Sequence, residues 1–200
     1  ADEVAMGMGR MGKMFACEHE AVSPDFLCLA KGITGGYMPL AATLTTTEVW
    51  NAFLAEYSEF KTFFHGHTYG GNPLGAAAAI ACLDIFSEEN TLEQLQLKIR
   101  HLAEQMKPLW KHPHVGDIRQ CGLLAGIELV QNRETKEPFP WTEKRGTRVC
   151  EYALSQGVWL RPLGNVVVII PPLSISLTQI DKICGAVEKG ISHVTQGSSV

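Results

Sequence analysis

Phe26-Leu27-Cys28-Leu29-Ala30-Lys31-Gly32-Ile33-Thr34-Gly35-Gly36 is the stretch on which the fold turns. Residues 25–30 form a short apolar run after Ser23-Pro24, too short for a helix, and predict a buried strand. Gly32, Gly35 and Gly36 then force a loop. Leu40 to Thr46 is rich in β-branched residues and predicts a second strand, with a helix from Thr47 through about Tyr57. The loop Gly66-His67-Thr68-Tyr69-Gly70-Gly71-Asn72-Pro73 ends in a helix start, Asn72 as N-cap and Pro73 as first helical residue. The alanine-rich helix that follows runs to about Ser87, and its near-uniform apolarity predicts burial on most sides.

Further on, Leu92, Leu95, Ile99, Leu102, Met106 and Leu109 recur at spacings of three and four, a helical face. The texture changes after His114. Strands are predicted at Val115 to Arg119, Leu123 to Val130, Val158 to Arg161 and Val166 to Ile170. Helices are predicted from about Glu143 to Ser155 and along the Ile180, Ile183, Cys184, Val187, Ile191, Val194 face. The tail Gly197-Ser198-Ser199 reads as loose. The class is α/β, with a domain boundary inside the helix near 90–112, so domains of 1–100 and 101–200.

Composition narrows the function. The 200 residues carry 17 Lys+Arg and 21 Asp+Glu, net charge −4, which argues against a nucleic-acid partner. The longest apolar run, 76–83, is far short of the ~20 residues of a membrane helix. Six scattered cysteines without a CxxC read as reduced thiols of a cytoplasmic protein. The opening Ala1-Asp2-Glu3-Val4 has no Met and no element-start signal, and reads as a fragment that begins inside a domain.

Two patterns in Gly7-Met8-Gly9-Arg10-Met11-Gly12-Lys13-Met14 invite misreading. It fits GxGxxG, but helical periodicity does not follow; it nearly fits the phosphate loop GxxxxGK[ST], but Met14 cannot hold magnesium. A glycine-rich connection is the simpler reading. His65-Gly66-His67 offers two imidazoles and no acidic or thiol third ligand nearby, so no metal site is expected. No GxSxG elbow supports a serine hydrolase.

Four residues carry chemistry. Lys31, at the mouth of an apolar strand in a glycine-rich loop, is placed for Schiff-base chemistry if its ammonium loses solvation. Thr68 stands before a capped helix N-terminus, where N–H groups and the dipole favour a phosphate. Asp2, at a strand end, can pair with a cationic ring nitrogen. Arg161, between a strand and Pro162, suits a substrate carboxylate. Singly, each is more simply an ordinary surface or loop residue. Together they fit pyridoxal phosphate, which needs a lysine for its aldehyde, an acid for its ring nitrogen and an anchor for its phosphate.

At this point the sequence resembles a known family. Asp2-Glu3-Val4, Gly7 to Lys13, Leu29-Ala30-Lys31-Gly32-Ile33-Thr34-Gly35-Gly36 and Phe64 to Pro73 together look like the class III pyridoxal-phosphate-dependent aminotransferases, including the 29-position step from Asp2 to Lys31. Phe15-Ala16-Cys17-Glu18-His19, His114 to Arg119 and Trp159 to Gly164 are similar to the branch of that family serving biotin synthesis. The resemblance implies fold type I: the second part of a large mixed-sheet domain, then a small α/β domain. It implies a transaminase that converts 8-amino-7-oxononanoate to 7,8-diaminononanoate, with S-adenosylmethionine or lysine as donor. Lys31 would join the cofactor aldehyde and shuttle the proton; Asp2 would hold the ring nitrogen protonated; Val4 would pack on the ring. Thr68 and the His67 backbone would bind the phosphate of the neighbouring subunit, which implies a homodimer with shared sites. Gly66 and Arg161 would contact the substrate.

Departures exist. His67 stands where some members carry proline, and Met6, Met8 and Met11 replace commoner threonine and phenylalanine. The family's amino-terminal half, with its phosphate loop and ring-stacking aromatic, has no counterpart here, so an incomplete site and poor solubility of the isolated piece are expected. The alternatives are another class III ω-amine or β-amino-acid aminotransferase, a non-catalytic nucleotide-binding module built on Gly7 to Lys13, and an inactive aminotransferase-like domain.

Overall fold

The computed structural model describes residues 1–196. The chain divides into two compact units, Ala1–Leu92 and the remainder from Glu93.

In the first unit, β1 (Phe26–Leu29) pairs antiparallel with β2 (Ala42–Thr45), Phe26 opposite Thr45 and Leu29 opposite Ala42. On its other edge β1 takes a parallel bridge from Asp2 to Cys28. The Cys28 N–H donates to the Ala1 carbonyl at 3.0 Å, and the Glu3 N–H to the Cys28 carbonyl at 2.9 Å. The strip is therefore mixed, three chains wide. The predicted burial of β1 holds only for Leu29; Phe26 is half exposed. So narrow a strip covers little of either face.

Three expectations in this unit need correction. The helix after β2 is only α1 (Thr47–Asn51), capped by Thr46. A separate 3-10 turn, Tyr57–Glu59, stands where its end was expected, because Leu54 to Glu56 leaves the helical path. Next, α2 (Pro73–Glu88) starts as predicted: Asn72 Oδ1 accepts the Gly75 N–H at 2.7 Å. Its burial is not as predicted. Only Gly75 and Ala79 are buried, while Leu74, Ile80, Leu83 and Ile85 are exposed. Uniform apolarity shows that a helix face seeks cover; it does not show that this unit supplies it.

The second unit has a defined core. α3 (Thr91–Met106) crosses the division between units and buries Leu95, Leu102 and Met106. The next 3-10 turn, Lys107–Lys111, adds Leu109. β3 (Val115–Cys121) and β4 (Leu124–Asn132) form a hairpin around Gly122, at φ +58°. A two-residue β5 (Glu137–Pro138) pairs with β4. After α4 (Arg145–Ser155) come β6 (Arg161–Leu163) and β7 (Val166–Ile169), giving the antiparallel order β3-β4-β7-β6. The strand expected at Val158 to Arg161 is displaced: 158–160 belongs to no strand, and Arg161 opens β6 rather than closing a strand. Alternation along β4 and β7 puts Ala125, Ile127, Leu129, Val167 and Ile169 inside. α5 (Leu177–Thr195), capped by Ser176, packs on α4 and buries Ile180, Cys184, Val187 and Ile191. Each such fully buried side chain contributes about 1.5–3 kcal/mol.

Among the described residues no helix is long and apolar enough to cross a membrane. All six cysteines are free thiols.

Candidate active site

The end of β1 makes the site. After buried Leu29, Ala30 is fully extended and the chain turns sharply into a 3-10 turn, Lys31–Thr34. Lys31 takes φ +46°. The left-handed region costs a side-chain-bearing residue roughly 1–2 kcal/mol, and such strain is a pointer to function. Three groups hold it. Gly35, at φ +60°, closes the turn with its N–H on the Gly32 carbonyl at 3.0 Å. Thr34, almost wholly buried, donates its hydroxyl to the Met38 carbonyl at 2.6 Å. From α2, the Cys82 thiol donates to the Gly32 carbonyl at 3.3 Å. Burial pushes the Cys82 thiol up, so it stays protonated as the donor. The Lys31 ammonium itself is exposed within this chain, so the desolvation expected of it is not found here.

Asp2 lies on the neighbouring chain, bridged to Cys28 three positions before Lys31. Strand pairing thus brings these two predicted residues to one end of one strip. Asp2 Oδ1 accepts the Val4 N–H at 3.0 Å, which leaves the other oxygen open to a cation. Val4 itself is half-buried where the chain leaves the strip.

Gly66, His67 and Thr68 lie on the exposed segment before α2. The Gly70 N–H donates to the His67 carbonyl at 2.9 Å, and Gly71 takes φ +64°. Thr68 opens this turn. At the helix start Pro73 has no N–H, Asn72 takes the Gly75 N–H, and the Ala76 N–H bonds the Asn72 carbonyl. The Leu74 N–H and the turn's own hydroxyl and amides are the donors that remain toward an anion. The His65 and His67 rings meet edge-on at 5.0 Å. Among the described residues no three His, Cys, Asp or Glu side chains converge on a metal position.

Arg161, in the second unit, is exposed at the start of β6, with its backbone paired to Val168. It lines a cleft of about 460 Å³ with Trp159, Ile170, Ile175 and Lys182.

Sequence reasoning missed Glu3. It is 3 % exposed, and both its carboxylate oxygens accept backbone N–H groups, Oε1 from Cys17 at 2.7 Å and Oε2 from Ala16 at 2.9 Å. Its only sequence signal was an acid beside Asp2. The glycines once weighed as a nucleotide fingerprint also find their reason. Gly9 and Gly12 sit at φ +82° and +89°, and at Gly7 a Cβ would lie 2.8 Å from the Glu3 carbonyl oxygen. No α-helix opens there; only the five-residue 3-10 helix Ala16–Glu20 follows. The nucleotide-loop alternative loses the helix it needs.

The chain is 57 % identical over 197 residues to the adenosylmethionine-8-amino-7-oxononanoate aminotransferase of Geobacter sulfurreducens, covering 98 % of this chain and 44 % of that protein. The crystal structure of the enzyme of that name from Methanocaldococcus jannaschii superposes with a TM-score of 0.91 at 50 % identity, over 96 % of this chain and 44 % of that one. A PMP-bound aminotransferase from Vibrio fluvialis does so with 0.92 at 27 %, over 100 % and 44 %. The chain thus spans under half the length of these relatives. Residues 1–191 match the aminotransferase class-III family model, and the chain belongs to that family.

Proposed function

We propose that this chain carries the lysine and ring-nitrogen half of a pyridoxal-phosphate-dependent transaminase of biotin synthesis. That enzyme would aminate 8-amino-7-oxononanoate to 7,8-diaminononanoate, with S-adenosylmethionine or lysine as donor. The observation that carries the reading is the Asp2–Cys28 bridge, which sets Asp2 beside the strand that leads into the Lys31 turn. The donor set fits pyridoxal phosphate: an exposed amine on a rigid turn, a carboxylate with one open oxygen, and a hydroxyl on a tight glycine turn. When bound, the cofactor supplies an electron sink for the carbanion formed at the substrate carbon.

The chain's own residues supply the rest. Lys31 Nζ would hold the cofactor through its aldehyde and serve as the base that moves the substrate proton. Asp2 keeps the proton on the ring nitrogen. Val4 would pack against the ring. Thr68 and the His67 backbone bind phosphate, and in a homodimer that phosphate belongs to the partner's site. The exposed Phe60, Phe64, Tyr69 and Leu74 on the same segment support such an interface, since large apolar patches mark contact surfaces. Gly66 and Arg161 contact substrate, Arg161 through its distal carboxylate. Identity favours this substrate over an ω-amine: 57 % to the Geobacter sulfurreducens enzyme against 30 % to a thermostable omega transaminase.

The test uses the full natural chain. Pyridoxal phosphate is added and fixed with borohydride, and the labelled peptide is mapped; amine transfer to the nine-carbon amino-ketone is then measured with each donor. Label on Lys31 and transfer to that acceptor are expected. Folded protein without the Lys31 label would overturn the reading.

A further inference from the structure

We propose that Glu3 is a positioning residue that fixes Asp2 relative to Lys31, an inference that rests on the aminotransferase reading above. Glu3 joins three pieces of chain. Its N–H holds β1 at the Cys28 carbonyl, its carbonyl accepts the Gly7 N–H at 2.9 Å, and its carboxylate takes the Ala16 and Cys17 N–H groups. A carboxylate this buried is costly unless it is fully bonded, and two charge-assisted bonds offset that cost. Asp2 is the preceding residue, so it inherits the position.

The loop carries the constraint onward. Gly7 rests on Glu3 with no room for a side chain. Met8 follows at φ +54°, 4 % exposed. Its Cβ fills the place a Gly32 side chain would need, 2.8 Å from an added Cβ. Gly32 is the neighbour of Lys31. Glu3 therefore braces the acid directly and the lysine turn through Gly7 and Met8, without touching the reacting atoms.

Both oxygens accept, and this makes Glu3→Gln diagnostic. The amide keeps the shape but sets an NH2 against one backbone N–H. Ala16→Pro is an independent probe: it deletes the N–H that Oε2 accepts and leaves Glu3 intact. Ala16 opens the 3-10 helix and Phe15 before it is extended (φ −126°, ψ 146°), a backbone that proline accepts.

Both variants are made in the full natural chain. Without cofactor, hydrogen exchange is read on peptides covering 1–8 and 29–36, with 115–132 as control. With pyridoxal phosphate, the pH midpoint of its absorbance, kcat, KM and the Lys31 label are read beside Asp2→Asn. Faster exchange is expected at 1–8 and 29–36 but not in the control. The midpoint should shift in the direction that Asp2→Asn gives, with kcat down about tenfold or more and KM within about twofold. If Glu3→Gln does not fold, Ala16→Pro decides alone. Unchanged midpoint and kcat in the folded variants, with Lys31 labelled, overturn this proposal and spare the aminotransferase reading. A wild-type chain unlabelled at Lys31 removes both.

Discussion

Gly32→Ala tests the packing that joins the glycine loop to the lysine turn. The new Cβ would stand 2.8 Å from Met8 Cβ and 3.3 Å from Met8 Cγ. Carbon atoms rest at about 3.5–4.0 Å, so the shortfall is about 0.7 Å or more. Met8 Cβ cannot swing aside, because it is fixed to a backbone held at φ +54° in a buried position. Loop or turn must move, which costs about 1–3 kcal/mol. The backbone at Gly32 is not left-handed, so alanine adds no dihedral strain there, and it lowers unfolded-state entropy by about 0.4–1 kcal/mol in its favour. The net loss should lie between about 0 and about 2.6 kcal/mol. In a Met8→Gly background the obstructing carbon is gone, and Gly32→Ala should be neutral or stabilising. The assay is a double-mutant cycle in thermal melting of the full natural chain at saturating pyridoxal phosphate. Equal cost of Gly32→Ala in both backgrounds would refute the contact argument.

Other outcomes follow from the same geometry. Lys31→Gly should melt above Lys31→Ala by about 1 kcal/mol, because φ +46° strains alanine and not glycine, while neither variant transfers amine; melting curves that coincide would remove the strain. Asn72→Ala deletes the cap on the Gly75 N–H and should cost about 1 kcal/mol, with faster hydrogen exchange in the first turn of α2. Unchanged exchange would show that the turn before α2 holds itself. Burial pushes the Cys150 and Cys184 thiols up to about 11 and about 12. At pH 8 iodoacetamide should therefore modify exposed Cys121 well before either of them. The sign for stability follows: the folded state keeps protons that the unfolded thiols release near pH 9, so stability falls as pH rises from 9 toward 11–12. A melting temperature flat across that range counts against burial of both thiols.

Local signals carried much of the molecule. The Asn72-Pro73 start of α2, the three-and-four spacing of α3 and the alternation in β4 and β7 are short-range patterns, and the structure keeps them. The candidate residues were legible because an amine, a carboxylate and a hydroxyl announce their chemistry by type and spacing. Long-range facts were not. That Asp2 lies beside Cys28 depends on strand pairing across 26 positions. That α2 leaves Leu74, Ile80, Leu83 and Ile85 exposed depends on what covers it, which apolarity alone does not state. That Glu3 is the buried acid and Asp2 the open one is hidden in two adjacent letters of one chemical kind. Only the fold decides which carboxylate meets the Ala16 and Cys17 N–H groups, because burial and hydrogen-bond partners are properties of three-dimensional neighbours, whereas periodicity, capping and chemical type are properties of the chain.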